Sequence, residues 1–190
     1  MSTQPFPIVG NVANVVVGPA QLFVAPVTVA IPGLSGNVAD FAGFTEVGFT
    51  DTGIEWDYTP TFADIKVDEL LGPVNKIFTM HKLIMNVKLA ETTLANLNLA
   101  IGASTLTGTA LTIGSPLQPP EFRVGFIGPG PNSTPTTPVV REAIIYRCVS
   151  IAALKAQYHR KDKVMYEVQL EALADTTQPQ ASDLCTIQDF

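Results

Sequence analysis

The stretch HKLIMNVKL, residues 81–89, carries the alternation that decides the fold class. Its apolar side chains occupy every second position, and these are Leu83, Met85, Val87 and Leu89. The positions between them are mostly polar, and these are Lys82, Ile84, Asn86 and Lys88. A period of two predicts a β-strand with one face in a core. The stretch KVMYEVQLEAL, residues 163–173, repeats the pattern, with Glu167, Gln169 and Glu171 on its polar face.

Shorter segments extend this pattern over one domain of 190 residues. Residues 12–17 and 20–25 are apolar runs on either side of Gly18-Pro19, a turn signal. The segment GIEWDY, 53–58, also alternates, and FADIKV, 62–67, is a weaker strand. Residues 27–43 contain several Pro and Gly residues and predict a loop. The chain is therefore predicted to be mainly β.

One segment, AETTLANLNLAIG at 90–102, has helical rather than strand spacing. Threonines stand where a helix begins, and Gly102 stands where it ends. The spacing places Leu94 and Leu97 on an apolar stripe, and we expect both in the core. A single short helix among strands is expected to cover one side of a β-sandwich or barrel.

The composition is poor in charge. Charged residues make up 15% of the chain, against about 25% in average proteins. Such a surface favours burial against other subunits, although a β-rich monomer with a Ser, Thr and Asn surface also fits. The net charge of −6 argues against tight binding of nucleic acid, because phosphate recognition needs clustered Lys and Arg.

No catalytic or metal-binding motif is present in the sequence. Cys148 and Cys185 form no C-x-x-C pair, and the two histidines lack ligand spacing. We expect no enzymatic activity, no cofactor and no metal. The first residues lack the basic and apolar regions of a signal peptide, and no apolar run reaches the ~20 residues that span a bilayer. The expectation is a cytoplasmic product with no membrane partner.

Charge is segregated along the chain. Residues 40–75 carry eight acids and one base, whereas residues 141–163 carry six bases and two acids. The two segments are either solvated surfaces or partners that pair within a fold or between neighbouring subunits.

Five segments, in order, resemble the tail tube proteins (major tail proteins) of long-tailed phages of the siphovirus type. They are VGPAQLFVAPVTVAIP (17–32), FTEVGFTDTGIEWDY (44–58), ADIKVDELLGPV (63–74), VKLAETTLANLNLAIG (87–102) and KVMYEVQLEALAD (163–175).

The resemblance implies a single tail tube domain over residues 1–190, a β-sandwich or barrel with one flanking helix and long loops. It divides into an N-terminal arm (1–17), an extended acidic loop or hairpin (59–76) and a C-terminal arm (176–190). It also implies a virion protein that assembles with itself into stacked hexameric rings, a tube through which DNA passes without specific binding. The implied partners are tape measure, tail terminator and distal tail proteins, and the implied location is the virion tail, after synthesis in the bacterial cytoplasm.

Two sets of site residues follow from this hypothesis. The ring–ring or subunit interface is predicted to pair acids with bases, and its residues are Asp64, Asp68, Glu69, Arg160, Lys161 and Lys163. The channel is predicted to be lined by polar strand faces, whose residues are Asn86, Lys88, Glu167, Gln169 and Glu171. Two other classes stay open: a different virion protein, such as a tail terminator or capsid decoration protein, and a soluble β-barrel binding module.

Overall fold

The structure, a computed structural model, describes residues 20–68, 71–114, 118–131, 133, 139–152 and 164–190. In these residues the helical elements are α1 (Leu94–Ile101) and two short 3-10 helices, Val38–Phe41 and Gln180–Ser182. The strands are β1 (Gln21–Pro26), β2 (Thr45–Glu46), β3 (Thr50–Ile65), β4 (Asn75–Leu89), β5 (Ser104–Thr107), β6 (Ala110–Ile113), β7 (Glu121–Pro129), β8 (Val140–Ser150), β9 (Tyr166–Ala172) and β10 (Cys185–Asp189). The prediction of a mainly β fold with one α-helix is confirmed.

Eight of these strands form one antiparallel sheet in the order β2-β1-β7-β8-β9-β4-β3, with β10 also paired to β8. Strands β5 and β6 form a separate hairpin. One edge of β8 is shared between two strands, because β10 pairs with residues 141–145 and β9 with residues 148–150. The sheet is thus joined at its middle by only a short β8–β9 pairing.

The sheet bends at this junction so that its two halves pack face to face. Trp56 on β3 contacts Phe126 on β7 with ring centroids 5.0 Å apart, although four pairings separate the two strands in the sheet. The core between the halves draws on both of them and on α1, and its most buried members include Leu22, Met85, Leu89, Leu99, Val124, Ile145, Cys148 and Leu170. Burial of this apolar surface is the main stabilising contribution.

Most of the predicted strands are present. Residues 20–25, 53–58 and 81–89 fall in β1, β3 and β4, and residues 163–173 contain β9. The weaker strand at 62–67 is the end of β3, which continues without interruption to Ile65. Residues 12–17, together with the rest of the N-terminal arm, lie outside the described residues.

The helix has the predicted ends but a different buried face. Thr93 caps it by accepting the N–H of Asn96 at 3.2 Å, and Gly102 ends it at φ 62°. Leu94, predicted to be core, is 41% exposed, so that prediction is wrong. Asn96 is buried instead, because its Nδ2 donates to the carbonyls of Val47 and Glu91, each at 2.9 Å. These two bonds turn the helix so that its buried residues are Asn96, Leu99 and Ala100.

The predicted C-terminal arm, residues 176–190, contains a strand of the sheet. Within it β10 pairs with β8 from Cys185 to Asp189, so the segment belongs to the sheet. Arg141 fastens its end through a bidentate contact with Asp189, at 2.6 and 2.8 Å. A strand of five residues gives little periodicity, and its place depends on a partner distant in sequence.

The loop 27–43 covers the outer face of β1, β7 and β8. Phe41 stacks on Phe23 at 4.8 Å and lies over Gly125, where an added Cβ would be 2.0 Å from the Phe41 ring. Glu142, which is fully buried on β8, accepts the N–H groups of Ser35 at 3.0 Å and Gly36 at 2.8 Å with its Oε2. Its Oε1 has no hydrogen-bond partner in the part of the chain that the structure describes.

Stability should depend on pH through Glu142. Burial raises the pKa of this carboxyl above its usual 4.5, and the charge of Asp40 adds to the rise. Protonated Glu142 therefore contributes stability at pH values below the pKa that this carboxyl has in the unfolded chain. That contribution is lost as the pH rises through its higher pKa in the folded protein. Glu142→Gln keeps an acceptor for the loop and removes the charge, so we expect it to exceed the wild type in free energy of unfolding at pH 7.5 by about 1–3 kcal/mol. The gap should shrink towards pH 4.5.

Urea unfolding at both pH values measures this difference. Burial raises the pKa of Asp40, but hydrogen bonds with Ser35, Asn37 and Glu142 outweigh it and lower that pKa, so protonation of Asp40 destabilises the wild type in acid. Parallel profiles of unfolding free energy against pH for the two proteins would show that the charged Glu142 carboxylate does not destabilise the fold.

Candidate functional site

Residues 59–68 and 71–80, named the arm, project from the body, and strands β3 and β4 form a two-stranded ribbon there. Strands β3 and β4 stay paired from Thr59 opposite Lys82 to Ile65 opposite Asn75. Every described residue of the arm is exposed. Strand β9 pairs with β4 only from Ile84 onwards, and β3 ends the sheet. Within the described residues, both edges of the arm therefore lack a strand partner.

One face of the arm carries a row of aromatic rings. Phe62 and Phe78 lie opposite each other with centroids 5.7 Å apart and are 51% and 48% exposed. Phe78 contacts the ring of His81 at 5.4 Å, and His81 contacts Tyr58 at 6.3 Å. The row continues the face of the hairpin that holds Trp56 in the body, so the core face extends directly into solvent.

The opposite face of the arm is also apolar, and its exposed members include Ile65, Ile77 and Met80. A register shift between Thr61 and Phe62 marks a β-bulge, and the Thr79 hydroxyl donates to the Thr61 carbonyl at 3.0 Å. A ribbon of two strands has no interior in which to bury such side chains, and an isolated hairpin is at best marginally stable in water. Exposed apolar surface of this kind marks an interaction site.

Of the six predicted interface residues, Asp64 and Asp68 lie in the described part of the arm. Asp64 pairs with Lys76 of the same arm, Oδ1 to Nζ at 3.0 Å. Asp68 is exposed at the arm's end. The other four residues, Glu69, Arg160, Lys161 and Lys163, lie outside the described residues. Within residues 59–76, expected as an extended acidic loop or hairpin, residues 59–65 pair with β4, while the pairing of the acids with the basic segment stays a prediction.

The five predicted channel residues come together on one face of β4 and β9. Lys88 lies opposite Glu167 with an ion pair of 3.1 Å, and Gln169 Nε2 donates to Asn86 Oδ1 at 2.8 Å. Lys82 lies on the same face and forms an ion pair with Glu171 at 3.1 Å. We call these six residues the polar strip: Lys82, Asn86, Lys88, Glu167, Gln169 and Glu171.

Strand β3 adds two acids to the face of the polar strip. Glu55 lies opposite Asn86, and Asp57 lies opposite Ile84. The lysines Lys82 and Lys88 thus share this face with four carboxylates, so the combined surface is acidic and its glutamates on β9 are held by ion pairs.

Sequence reasoning missed Phe49. This side chain is 78% exposed and lies just before β3. Its N–H donates to Glu91 Oε1 at 3.0 Å, and its carbonyl accepts the N–H of Ala90 at 2.9 Å. The sequence shows a phenylalanine between Gly and Thr but carries no signal of its exposure.

The described residues offer little chemistry. They contain no group of three or more His, Cys, Asp or Glu side chains that could hold a metal ion. Burial raises the pKa of Cys148 to about 12, so its thiol is a poor nucleophile. Among the described helices, none has the length and apolar character needed to cross a membrane. The surfaces that stand out are the arm, the polar strip and the loop of Phe49.

Comparison with models of protein families finds no match, and a search of curated proteins finds no relative.

Proposed function

We propose that this chain is a structural subunit of a phage tail tube, of the type found in long-tailed siphovirus-like phages. It associates with itself into stacked hexameric rings, and the rings form the tube through which DNA leaves the particle. The arm is the observation that carries this proposal, and the ordered sequence resemblance supplies the family.

The arm supports self-assembly because its exposed apolar faces and open edges require a partner. A long, flat strand edge normally invites pairing with another chain, and closure into a ring or barrel removes such edges. The arm and the surface that receives it differ, so the contact between two copies is heterologous. Heterologous contacts produce either closed rings or open, continuing stacks. A tube of stacked rings combines the two.

The polar strip supports a channel wall. Its carboxylates outnumber its lysines once Glu55 and Asp57 are included, and acidic walls repel DNA phosphates. The ion pairs Lys88–Glu167 and Lys82–Glu171 hold the glutamates in place and limit the net charge. Such a wall lets DNA pass without binding it. Tape measure, tail terminator and distal tail proteins are the partners that this function implies.

A tail terminator or decoration protein is the alternative, because it also buries a projecting arm but stops at one ring or trimer. A carbohydrate-binding module fits less well, since Trp56 packs against Phe126 and offers no exposed platform. The form of the assembly separates these functions.

Removing the aromatic rings of the arm should abolish assembly and spare the fold. Phe62 and Phe78 are half exposed, so Phe62→Ser with Phe78→Ser costs the monomer about 1 kcal/mol or less. We expect wild-type protein to form hollow tubes or six-fold rings by negative-stain electron microscopy at high concentration, and the double variant to remain monomeric by light scattering. The control is Ile113→Ser, which removes a still more exposed apolar side chain on β6, outside the arm. Wild-type protein that stays monomeric at all salt concentrations, with or without a tail initiator complex, would overturn the proposal.

The acids of the arm should act in stacking. We propose that Asp68, which is exposed at the end of the arm, faces the basic residues Arg160, Lys161 or Lys163 of a neighbouring ring. Asp68→Lys replaces attraction by repulsion, so we expect single rings in electron micrographs and unchanged thermal unfolding. Tubes of normal length from this variant would remove Asp68 from the interface.

A cysteine in the polar strip should be shielded inside the tube. Gln169→Cys, in a Cys185→Ser background, should react rapidly with a maleimide attached to a large polyethylene glycol in the monomer, because the strip is open there. In assembled tubes we expect that reaction to be slow and the reaction with a small maleimide to persist. Thr107→Cys, an exposed position on β5, serves as the comparison. Equal labelling of Gln169→Cys by the large reagent in tubes and monomers would place the strip outside the channel.

A further inference from the structure

We propose that the arm of one copy docks on the Phe49 loop of a second copy, with Lys66 of the arm facing Glu46 beside that loop. The Phe49 loop is Val47–Phe49. This inference rests on the proposed self-assembly and deepens it, because it names the surface that receives the arm.

The Phe49 loop is held rigidly although its side chain is exposed. Asn96 of α1 fixes the Val47 carbonyl, and the Val47 N–H donates to the Leu22 carbonyl at 2.9 Å. Gly48 has φ +88° and lies against the Glu91 carboxylate, which an added Cβ would approach to 2.2 Å. Glu91 in turn accepts the Phe49 N–H. A large aromatic side chain presented on a fixed backbone loses little entropy on binding, which is the property of an interface hot spot.

The positions of the arm and the loop suit a head-to-tail contact. Phe49 precedes the first residue of β3, and the arm begins towards the other end of the same strand. A strand of 16 residues spans about 50 Å at ~3.3 Å per residue, so the Phe49 loop and the end of the arm lie at opposite ends of the β3–β4 hairpin. Copies stacked in the same orientation bring the arm of one to the Phe49 end of the next.

The two surfaces are also complementary in chemistry. A cleft of about 560 Å³ adjoins Phe49 and is lined in part by Glu46 and Glu91, and its size is that of ordinary binding clefts, ~300–1,000 Å³. The arm's end offers exposed apolar side chains, among them Val67, Leu71 and Val74. Lys66 is exposed there and has no ion pair with any described residue, and the same holds for Glu46. Docking would give each of these charges a partner.

A charge swap tests the pairing. Lys66→Glu and Glu46→Lys each place like charges in the contact, and we expect each to lower the assembled fraction about tenfold or more at low salt, as loss of a close interfacial charge pair does. The double variant Lys66→Glu with Glu46→Lys restores opposite charges in every contact, so we expect assembly within about threefold of the wild type. Sedimentation and electron microscopy measure the assembled fraction, and circular dichroism verifies that each variant is folded.

A matched control separates pairing from net charge. Lys66→Glu with Glu55→Lys has the same composition of charges as the swap, but Glu55 lies on β3 in the acidic face beside the polar strip, so this pair should not restore assembly. Phe49→Ala should also lower assembly, because it removes the anchor side chain without altering charge.

The outcomes distinguish this inference from the proposed function. If wild-type protein assembles and Phe62→Ser with Phe78→Ser blocks it, while the single charge variants assemble normally or the swap fails to rescue, the docking site is wrong and self-assembly through the arm stands. If the wild type never assembles, both are overturned. Rescue by the swap and not by the control supports the docking site.

Discussion

The antiparallel pairing of β3 with β4 is the constraint on which the rest of the structure depends. Its first half is held in the body, where β9 adds a third strand and the core covers one face. Its second half has neither a third strand nor a core within the described residues, yet the pairing continues past the β-bulge to Ile65 opposite Asn75. One continuous hairpin thus joins a stable body to an arm whose apolar faces are covered by none of the described residues, and exposed apolar surface of this kind marks an interaction site.

The same hairpin sets the polarity of the subunit and separates its functions by face. Along its length, the Phe49 loop lies at one end and the arm at the other, which favours head-to-tail contacts over two-fold ones. Across its width, the core side holds Trp56, and the opposite side holds Asn86 and Lys88 beside the glutamates of β9. The alternation of side chains along each strand therefore places the core and the polar strip on opposite faces of the same hairpin.

The alternation of apolar and polar residues was the most informative signal in the sequence, because it depends only on neighbouring residues. It located β1, β3, β4 and β9 and grouped Asn86, Lys88, Glu167, Gln169 and Glu171 on faces that the structure pairs. It failed where burial depends on distant partners: Asn96 displaces Leu94 from the core through hydrogen bonds to other segments, and β10 joins the sheet through β8. Phe62 and Phe78 have the spacing of core residues in a strand, and only the fold shows that nothing in the described chain covers them.

The arm must be apolar enough to dock and still resist indiscriminate pairing before it does. Pro60 offers no N–H to another strand, the bulge near Thr61 twists the ribbon, and the Asp64–Lys76 pair places charge on its aromatic face. These are the devices by which proteins protect exposed strand edges. Their presence on a segment that no described residue buries argues that the free subunit exposes the arm before it docks. They also argue that the docking contact is specific in register and charge. A specific contact of this kind requires a receiving surface that is itself ordered, which the braced Phe49 loop provides.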